Sequence, residues 1–319
     1  MAKMRGVFIP LATPFDDTGE IDYVALQGNI QNLMVVCQGR DFVFVPAGTT
    51  GEASSLSSDE HQEVVATVVN AVAGRFPVIA GASAPGTKEA VRLGRLMQQA
   101  GVDGILVVPP YYTIANEEGV FRHYKEIAER LNIGIVVYNN PSVSGSWISP
   151  SLMSRLAEID NIIASKENTP FVMNYLRMWQ QVDPSKLVVL CGLGELMYAF
   201  VGPYECPGFF SGRVGNIAPQ VSYEFFEAIK DNNVARAYDL LTDLSPYFQF
   251  FDRMEKKHPA STKAWWGGGG TMLFSVIKAA MDLLGFQGGG VRTPLTDIGT
   301  EDRRELAEIL AHVECLKRS

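Results

Sequence analysis

The chain has 319 residues, of which 47% are hydrophobic and 19% are charged, and its formal net charge is −8. An apolar fraction near one half excludes a disordered chain and predicts a large core. The acidic balance and the absence of a dense basic run argue against nucleic acid and anionic membrane surfaces as partners. At about 150 residues per domain the length suggests two domains, although α/β barrels often exceed 200 residues as one unit.

The cysteines and the hydropathy pattern bear on the cellular compartment. No two cysteines form a CxxC pair, and their wide spacing is typical of free thiols: Cys37, Cys191, Cys206 and Cys315. Pro10 and Pro14 interrupt the short apolar run near the N-terminus, so no signal peptide is expected. No apolar stretch approaches the roughly 18 residues of a transmembrane helix. We therefore expect a cytoplasmic protein without a membrane partner.

Eight short apolar runs recur along the first two thirds of the chain. They are residues 6–12, 42–46, 77–81, 104–110, 133–138, 161–166, 186–192 and 208–212. They are rich in Val, Ile and Phe and show no clear polar alternation, which is typical of strands buried on both faces. Their starts are separated mostly by roughly 20–35 residues, about the length of one βα unit.

The segments between these runs carry helix start and stop signals. Ser57 and Glu60 form a capping box, and Gly74 is placed where a helix would end. Ser149 followed by Pro150 is typical of a helix N-terminus. Eight strands that alternate with helices predict an α/β fold, a (β/α)₈ TIM barrel. An open doubly wound sheet is the alternative.

Only helix-like stretches follow the eighth run: residues 219–230, 233–256, 271–285 and 300–316. We predict a barrel over residues 1–230 and a C-terminal helical extension over residues 231–319 that packs on it. Thr300 fits the N-cap of the last helix. The glycine runs 267–270 and 288–290 are not followed by Lys-Ser/Thr, so they predict loops rather than a phosphate cradle.

Several kinds of catalytic site are not supported by the sequence. The four histidines form neither an HExxH motif nor a pair at helical spacing, so no metal site is predicted. There is no GxSxG nucleophile elbow, and no GxGxxG follows a strand. The pattern therefore predicts no metal and no dinucleotide cofactor.

The residues at the carboxyl ends of the strands are the candidates for chemistry, because barrel active sites lie there. Lys166 ends the sixth run, where shelter from water favours a neutral amine that can form a Schiff base with a carbonyl. Tyr138 ends the fifth run and could shuttle protons. Thr49 and Thr50 offer hydroxyls and amides to a carboxylate. A solvated lysine, an aromatic plug and a capped turn are the structural alternatives.

These strand ends carry motifs that resemble the N-acetylneuraminate lyase/dihydrodipicolinate synthase family of class I, Schiff-base barrels. The motifs are Thr13-Pro14-Phe15, Gly48-Thr49-Thr50-Gly51-Glu52, Pro110-Tyr111-Tyr112, Tyr138-Asn139-x-Pro141 and Lys166-Glu167. Weaker matches occur at residues 208–216, before Pro219, and at Arg292-x-Pro294-Leu295. The set follows the family order over almost the whole chain.

The resemblance implies a catalytic role for four residues. Lys166 would form the Schiff base with the C2 carbonyl of a 2-oxo acid, and Tyr138 would be the proton shuttle beside it. Thr50 would link Tyr138 to Tyr112. In the family the tyrosine that matches Tyr112 often reaches in from a neighbouring subunit, which implies a homotetramer built as a dimer of dimers.

The resemblance also implies how substrate is bound. The turn Gly48-Thr49-Thr50 would bind the substrate carboxylate, and the backbone near Phe210 would line the site. Glu195 is the one candidate for the carboxylates that hold a polyol in sialic-acid lyases. Neither a metal nor an organic cofactor is needed, because the lysine adduct itself serves as the electron sink.

Members of the family differ in the second substrate that they bind. In dihydrodipicolinate synthases an arginine holds the second substrate's carboxylate, and Val143 occupies that place here. Arg213 and Arg292 stay open as replacements. Sugar-acid aldolases, 2-keto-3-deoxy acid dehydratases and hydroxyproline-pathway deaminases share the rest of the motif set.

The sequence therefore predicts a lyase that acts on a small-molecule 2-oxo acid through a lysine Schiff base, by aldol cleavage or dehydration. The alternatives are a dihydrodipicolinate synthase-type condensation of pyruvate with an aldehyde, and a barrel that binds 2-oxo acids without turnover. The proton relay argues against the last of these, since a binding protein does not need one.

Overall fold

The computed structural model describes residues 4–259 and 272–318. Eight strands lie in the eight apolar runs, and the fifth and sixth continue one residue beyond them. The strands are β1 (Gly6–Pro10), β2 (Phe42–Val45), β3 (Ile79–Gly81), β4 (Gly104–Val107), β5 (Gly134–Asn139), β6 (Ile162–Glu167), β7 (Val188–Cys191) and β8 (Gly208–Phe210). The glycine run 267–270 lies outside the described residues.

The strands form one parallel sheet in the order β2-β1-β8-β7-β6-β5-β4-β3. Its two edges meet, because Phe44 of β2 makes a parallel bridge to Val78 beside β3. The Gly81 amide also donates to the Pro46 carbonyl at 3.0 Å. The sheet is therefore a closed barrel, which confirms the predicted TIM barrel and excludes the open sheet.

Helices alternate with the strands, and further helices follow β8. The described residues contain α1 (Tyr23–Cys37), α2 (Ser58–Val72), α3 (Thr87–Ala100), α4 (Glu117–Arg130), α5 (Pro141–Ser144), α6 (Pro150–Leu156), α7 (Val172–Gln181), α8 (Gly194–Val201), α9 (Pro219–Lys230), α10 (Val234–Lys257), α11 (Leu273–Leu283) and α12 (Thr300–His312).

Two of the three helix starts predicted from capping residues are confirmed. In α2 the Glu60 amide donates to Ser57 Oγ and the Ser57 amide donates to Glu60 Oε2, so the capping box is present. Ser149 caps α6 through the Leu152 amide. The expected cap at Thr300 is wrong by one residue, because Gly299 is the N-cap and supplies no side-chain acceptor. Acidic residues in the first turn of α12 favour its positive end instead.

The core has two parts. One fills the barrel and includes Phe8, Leu106, Tyr138 and Phe210. The other lies between strands and helices and continues without a break into the helices after β8. The extension therefore packs on the barrel, while a domain boundary between residues 230 and 231 stays a prediction. Within residues 4–259 and 272–318 no helix has the length and hydropathy needed to cross a bilayer.

Candidate active site

Lys166 and Tyr138 occupy matched positions on neighbouring strands. They are register partners in the β5–β6 pair, so both side chains point into the barrel mouth. Lys166 Nζ lies 3.9 Å from the centroid of the Tyr138 ring and 4.4 Å from that of Phe210. Only 5% of Lys166 is exposed. The amine is thus held between two aromatic faces and is shielded from water.

A cavity of about 340 Å³ opens above this lysine. It brings together six of the predicted site residues: Thr49, Thr50, Tyr138, Lys166, Glu195 and Phe210. Two predicted site residues, Gly48 and Tyr112, do not line it in the single chain. The cavity is large enough for a small-molecule ligand and has the reactive amine in its wall.

The Tyr138 hydroxyl has a partner that the sequence did not reveal. Asn140 Nδ2 donates to it at 2.9 Å, and Asn140 also lines the cavity. Among the described residues no hydrogen bond joins Tyr138 to Thr50. In the sequence, this contact could have been inferred from Asn140, the polar residue at the variable position of the Tyr-Asn-x-Pro motif.

Thr49 and Thr50 lie on a tight turn that several contacts fix. The Gly48 carbonyl accepts hydrogen bonds from the amides of Gly51 and Ala53. A Cβ atom at Gly51 would lie 2.9 Å from the Leu11 carbonyl oxygen, so the close approach requires glycine. Gly48 therefore shapes the turn, and Thr49 and Thr50 are the turn residues that line the cavity.

Tyr112 does not line the cavity of its own chain. It follows β4, and 89% of it is exposed. Its neighbour Tyr111 is partly buried, and burial raises the pKa of that phenol. A large exposed tyrosine of this kind is available to a second copy of the chain.

Glu195 lines the cavity, and one oxygen of its carboxylate already has two hydrogen-bond partners. Oε1 accepts hydrogen bonds from the hydroxyls of Ser211, at 2.5 Å, and Ser222, at 2.7 Å. Burial raises the pKa of Glu195 despite these donors. The two serines hold Oε1 in place, and the role of Glu195 in substrate binding stays a prediction.

Glu167, next to the reactive lysine, is a second buried carboxylate. It accepts hydrogen bonds from Asn139 Nδ2 at 2.9 Å and from Asn174 Nδ2 at 3.2 Å. Burial raises its pKa to about 7. It does not line the cavity, and it connects the end of β6 to α7.

The three residues considered for the second substrate lie in different environments. Val143 is 43% exposed and lines the cavity. Arg292 lies elsewhere and forms an ion pair of 2.6 Å with Glu60. Arg213 lines the cavity. Among the described residues no group of three or more His, Cys, Asp or Glu could hold a metal ion.

The amino-acid sequence of this chain matches a known protein family. Residues 3–264 match the model of the Dihydrodipicolinate synthetase family. A 4-hydroxy-tetrahydrodipicolinate synthase of Methanothrix thermoacetophila is 32% identical over 312 residues, covering 98% of both chains. The synthase of the same name from Archaeoglobus fulgidus is 33% identical over 320 residues, with 98% of this chain and 99% of the relative covered.

Solved structures agree with these matches. Dihydrodipicolinate synthase from Aquifex aeolicus is 31% identical, with a TM-score of 0.84 over 98% of this chain and 99% of that chain. YagE, an E. coli K12 prophage protein of the dihydrodipicolinic acid synthase family in complex with pyruvate, is 26% identical, with a TM-score of 0.85 at the same coverage. The expectation of a Schiff-base lyase is thereby confirmed, and the chain belongs to the dihydrodipicolinate synthetase family.

Proposed function

We propose that Lys166 forms a Schiff base with the C2 carbonyl of a 2-oxo acid, and that pyruvate is the simplest such substrate. The enzyme then makes or breaks a bond at C3, by aldol chemistry or by loss of water. The observation that supports this most directly is the 5% exposed amine between Tyr138 and Phe210 in the cavity wall.

The neighbouring residues have roles that follow from the reaction. The neutral amine attacks C2, the carbonyl oxygen leaves as water, and the iminium stabilises a carbanion at C3. Loss of that oxygen needs proton transfers, which we assign to the Tyr138 hydroxyl, oriented by Asn140. We assign Thr49 and Thr50 to the substrate's C1 carboxylate, because both line the cavity on a fixed turn.

The proposal includes a homotetramer in which Tyr112 completes the site of a neighbouring copy and reaches Thr50. Its support is the 89% exposure of Tyr112 and its place in the Pro-Tyr-Tyr motif. We also propose a cytoplasmic location. The four cysteines are buried free thiols, as is usual in a reducing compartment.

A second candidate is the condensation of pyruvate with an aldehyde, as in 4-hydroxy-tetrahydrodipicolinate synthases. The names of the archaeal relatives, about one third identical over nearly the whole chain, favour it. Val143 disfavours it, because a valine side chain cannot pair with the carboxylate of aspartate semialdehyde.

Borohydride trapping tests the proposed chemistry. Pyruvate and borohydride should add one reduced pyruvyl group to the peptide that contains Lys166, read by intact mass and peptide mapping. Lys166→Ala should lose both label and turnover. Lys186→Ala is the matched control, since this exposed lysine pairs with Glu158 far from the cavity. Label on another lysine, or an active Lys166→Ala enzyme, would exclude the mechanism.

Steady-state kinetics then choose between the two candidates. Pyruvate with aspartate semialdehyde and several 2-keto-3-deoxy sugar acids form the substrate panel. A specificity constant of about 10⁴ M⁻¹s⁻¹ or more for aspartate semialdehyde would establish the synthase. Turnover of a sugar acid alone would establish the aldolase or dehydratase.

A further inference from the structure

Arg213 is a second cationic side chain in the cavity of Lys166. It lies on the loop after β8, three residues beyond Phe210. Lys166, Glu195 and Arg213 are the acidic and basic residues among the described lining residues. Once Lys166 has reacted to form a Schiff base, Arg213 is the unmodified basic side chain among the described lining residues.

The guanidinium of Arg213 is placed on an aromatic ring and not on a carboxylate. Its central carbon lies 4.6 Å from the centroid of Phe251. Within the described part of the chain it forms no ion pair. Burial raises the pKa of the nearby Glu195 carboxylate, and the charge of Arg213 acts in the opposite direction and lowers it. Oε1 of Glu195 accepts hydrogen bonds from Ser211 and Ser222. A guanidinium stacked on a ring keeps its edge N–H groups free for an anion.

Other arginines of the chain show the contrast. Arg253 also lies over a ring, that of Phe250, but it forms an ion pair of 2.5 Å with Glu305. Arg292 is held by Glu60. Arg213 is therefore partly buried at the cavity and, unlike these two arginines, forms no ion pair among the described residues.

The surroundings of Arg213 indicate which end of a substrate it faces. Phe251 belongs to α10, and Phe248 of the same helix lines the cavity together with Leu273, Phe274 and Ile277. This part of the wall is apolar and comes from the C-terminal extension. Since Thr49 and Thr50 are assigned to the carboxylate beside the reacting carbon, Arg213 is left for the other end.

We propose that Arg213 binds a carboxylate at the end of the substrate remote from the reacting carbonyl, so that the preferred substrates are 2-oxo acids with a second acidic group. This inference rests on the proposed function, because Lys166 must hold the other end of the same molecule. In dihydrodipicolinate synthases the carboxylate-binding arginine is expected after β5, at the position of the neutral Val143. We place the anion-binding subsite of this protein after β8, at Arg213. We expect a short apolar chain between the two carboxyl groups of the substrate, because this chain would pack against the apolar part of the cavity wall.

Trapping with matched 2-oxo acids tests the subsite without requiring turnover. Pyruvate, 2-oxoadipate and 2-oxohexanoate are each incubated with enzyme and borohydride, and the concentration for half-maximal labelling of Lys166 is measured. The six-carbon pair differs only in the terminal carboxylate. A charge-assisted hydrogen bond should make 2-oxoadipate effective at about 10- to 100-fold lower concentration than 2-oxohexanoate.

Three variants identify the residue responsible. Arg213→Gln should abolish the preference for 2-oxoadipate over 2-oxohexanoate, and it should weaken labelling by 2-oxoadipate much more than labelling by pyruvate. Arg213→Lys should keep part of the preference. Arg253→Gln is the control and should behave as wild type. Circular dichroism and thermal unfolding of each variant show whether it is folded.

Each outcome has a distinct meaning. If pyruvate fails to label Lys166 in the wild-type protein, the proposed function fails. If pyruvate labels but the wild type does not prefer 2-oxoadipate, or Arg213→Gln keeps that preference, the subsite inference is overturned. The inference is also overturned if Arg213→Gln weakens pyruvate and 2-oxoadipate equally, because the arginine then acts at the C1 carboxylate or on the fold.

Discussion

The carboxylate of Glu52 and the ammonium of Lys278 form an ion pair of 2.5 Å in which the side chains are 0% and 1% exposed. Glu52 ends the Gly-Thr-Thr-Gly-Glu turn, and Lys278 belongs to α11. The other Glu52 oxygen accepts a hydrogen bond from the Arg292 amide at 3.1 Å, and Lys278 Nζ donates to the Gly290 carbonyl at 2.6 Å. The C-terminal extension thus supports the turn that carries Thr49 and Thr50.

Breaking this pair on one side should be strongly destabilising. Lys278→Met leaves the Glu52 charge buried without its partner, which we expect to cost about 3–5 kcal/mol in the free energy of unfolding. Urea denaturation measures the change. Lys186→Met removes one side of the exposed pair with Glu158 and should cost less than about 1 kcal/mol.

The double variant separates charge burial from packing. Glu52→Gln combined with Lys278→Met removes both charges, so its loss of stability should be smaller than the sum of the single losses. A strictly additive double variant would mean that the two charges do not interact.

Loss of the Tyr138 hydroxyl should affect turnover more than Schiff-base formation at equilibrium. Tyr138→Phe keeps the ring beside Lys166 but removes the group that receives the Asn140 hydrogen bond. We expect the final extent of pyruvate labelling to be retained and kcat to fall by about 10²–10⁴-fold. Steady-state kinetics and borohydride trapping provide the two readouts. An unchanged kcat would limit Tyr138 to a packing role.

The barrel could be predicted because its strands are buried on both faces and appear in the sequence as uninterrupted apolar runs. Lys166 and Tyr138 could be paired because carboxyl ends of parallel strands meet at one mouth. Both inferences depend on local patterns and one general rule of topology. Neither requires knowledge of contacts between distant residues.

The remaining site features depend on such long-range contacts. Arg213 and Arg292 are equivalent candidates in the sequence, and only the fold shows that Glu60 holds Arg292 while Arg213 lines the cavity. Likewise, only the fold shows that Ser211 and Ser222 donate hydrogen bonds to one oxygen of Glu195. The buried partners of these charges are separated from them along the chain, so no motif spacing reveals them.

Complementation tests whether Tyr112 acts on a neighbouring copy. Tyr112→Ala and Lys166→Ala are each expected to be inactive or strongly impaired. If Tyr112 enters the partner's cavity, a mixed oligomer contains sites with intact Lys166 and intact Tyr112, so mixing should restore activity. The two variants are unfolded together, refolded, and assayed for turnover. Activity no higher than that of the separately refolded variants would place Tyr112 outside the partner's site.

The raised pKa of Glu167 predicts a pH dependence of stability with a definite sign. Burial raises this pKa from 4.5 to about 7 in the folded state. Between these two pH values the folded protein binds more protons than the unfolded chain, so the contribution of Glu167 to stability falls as pH rises. Across the whole window the loss amounts to about 3 kcal/mol, since one pKa unit corresponds to about 1.4 kcal/mol.

Glu167→Gln isolates this contribution because glutamine does not titrate. The free energy of unfolding of wild type minus that of the variant should decrease from pH 5 to pH 7 and become constant above about pH 8. Denaturant unfolding at several pH values provides the measurement. Glu129→Gln, at a 63% exposed side chain, is the control and should give a nearly constant difference over the same range. A flat profile for Glu167→Gln would mean that the hydrogen bonds from Asn139 and Asn174 fully offset the cost of burying the charge, and that Glu167 is ionised throughout.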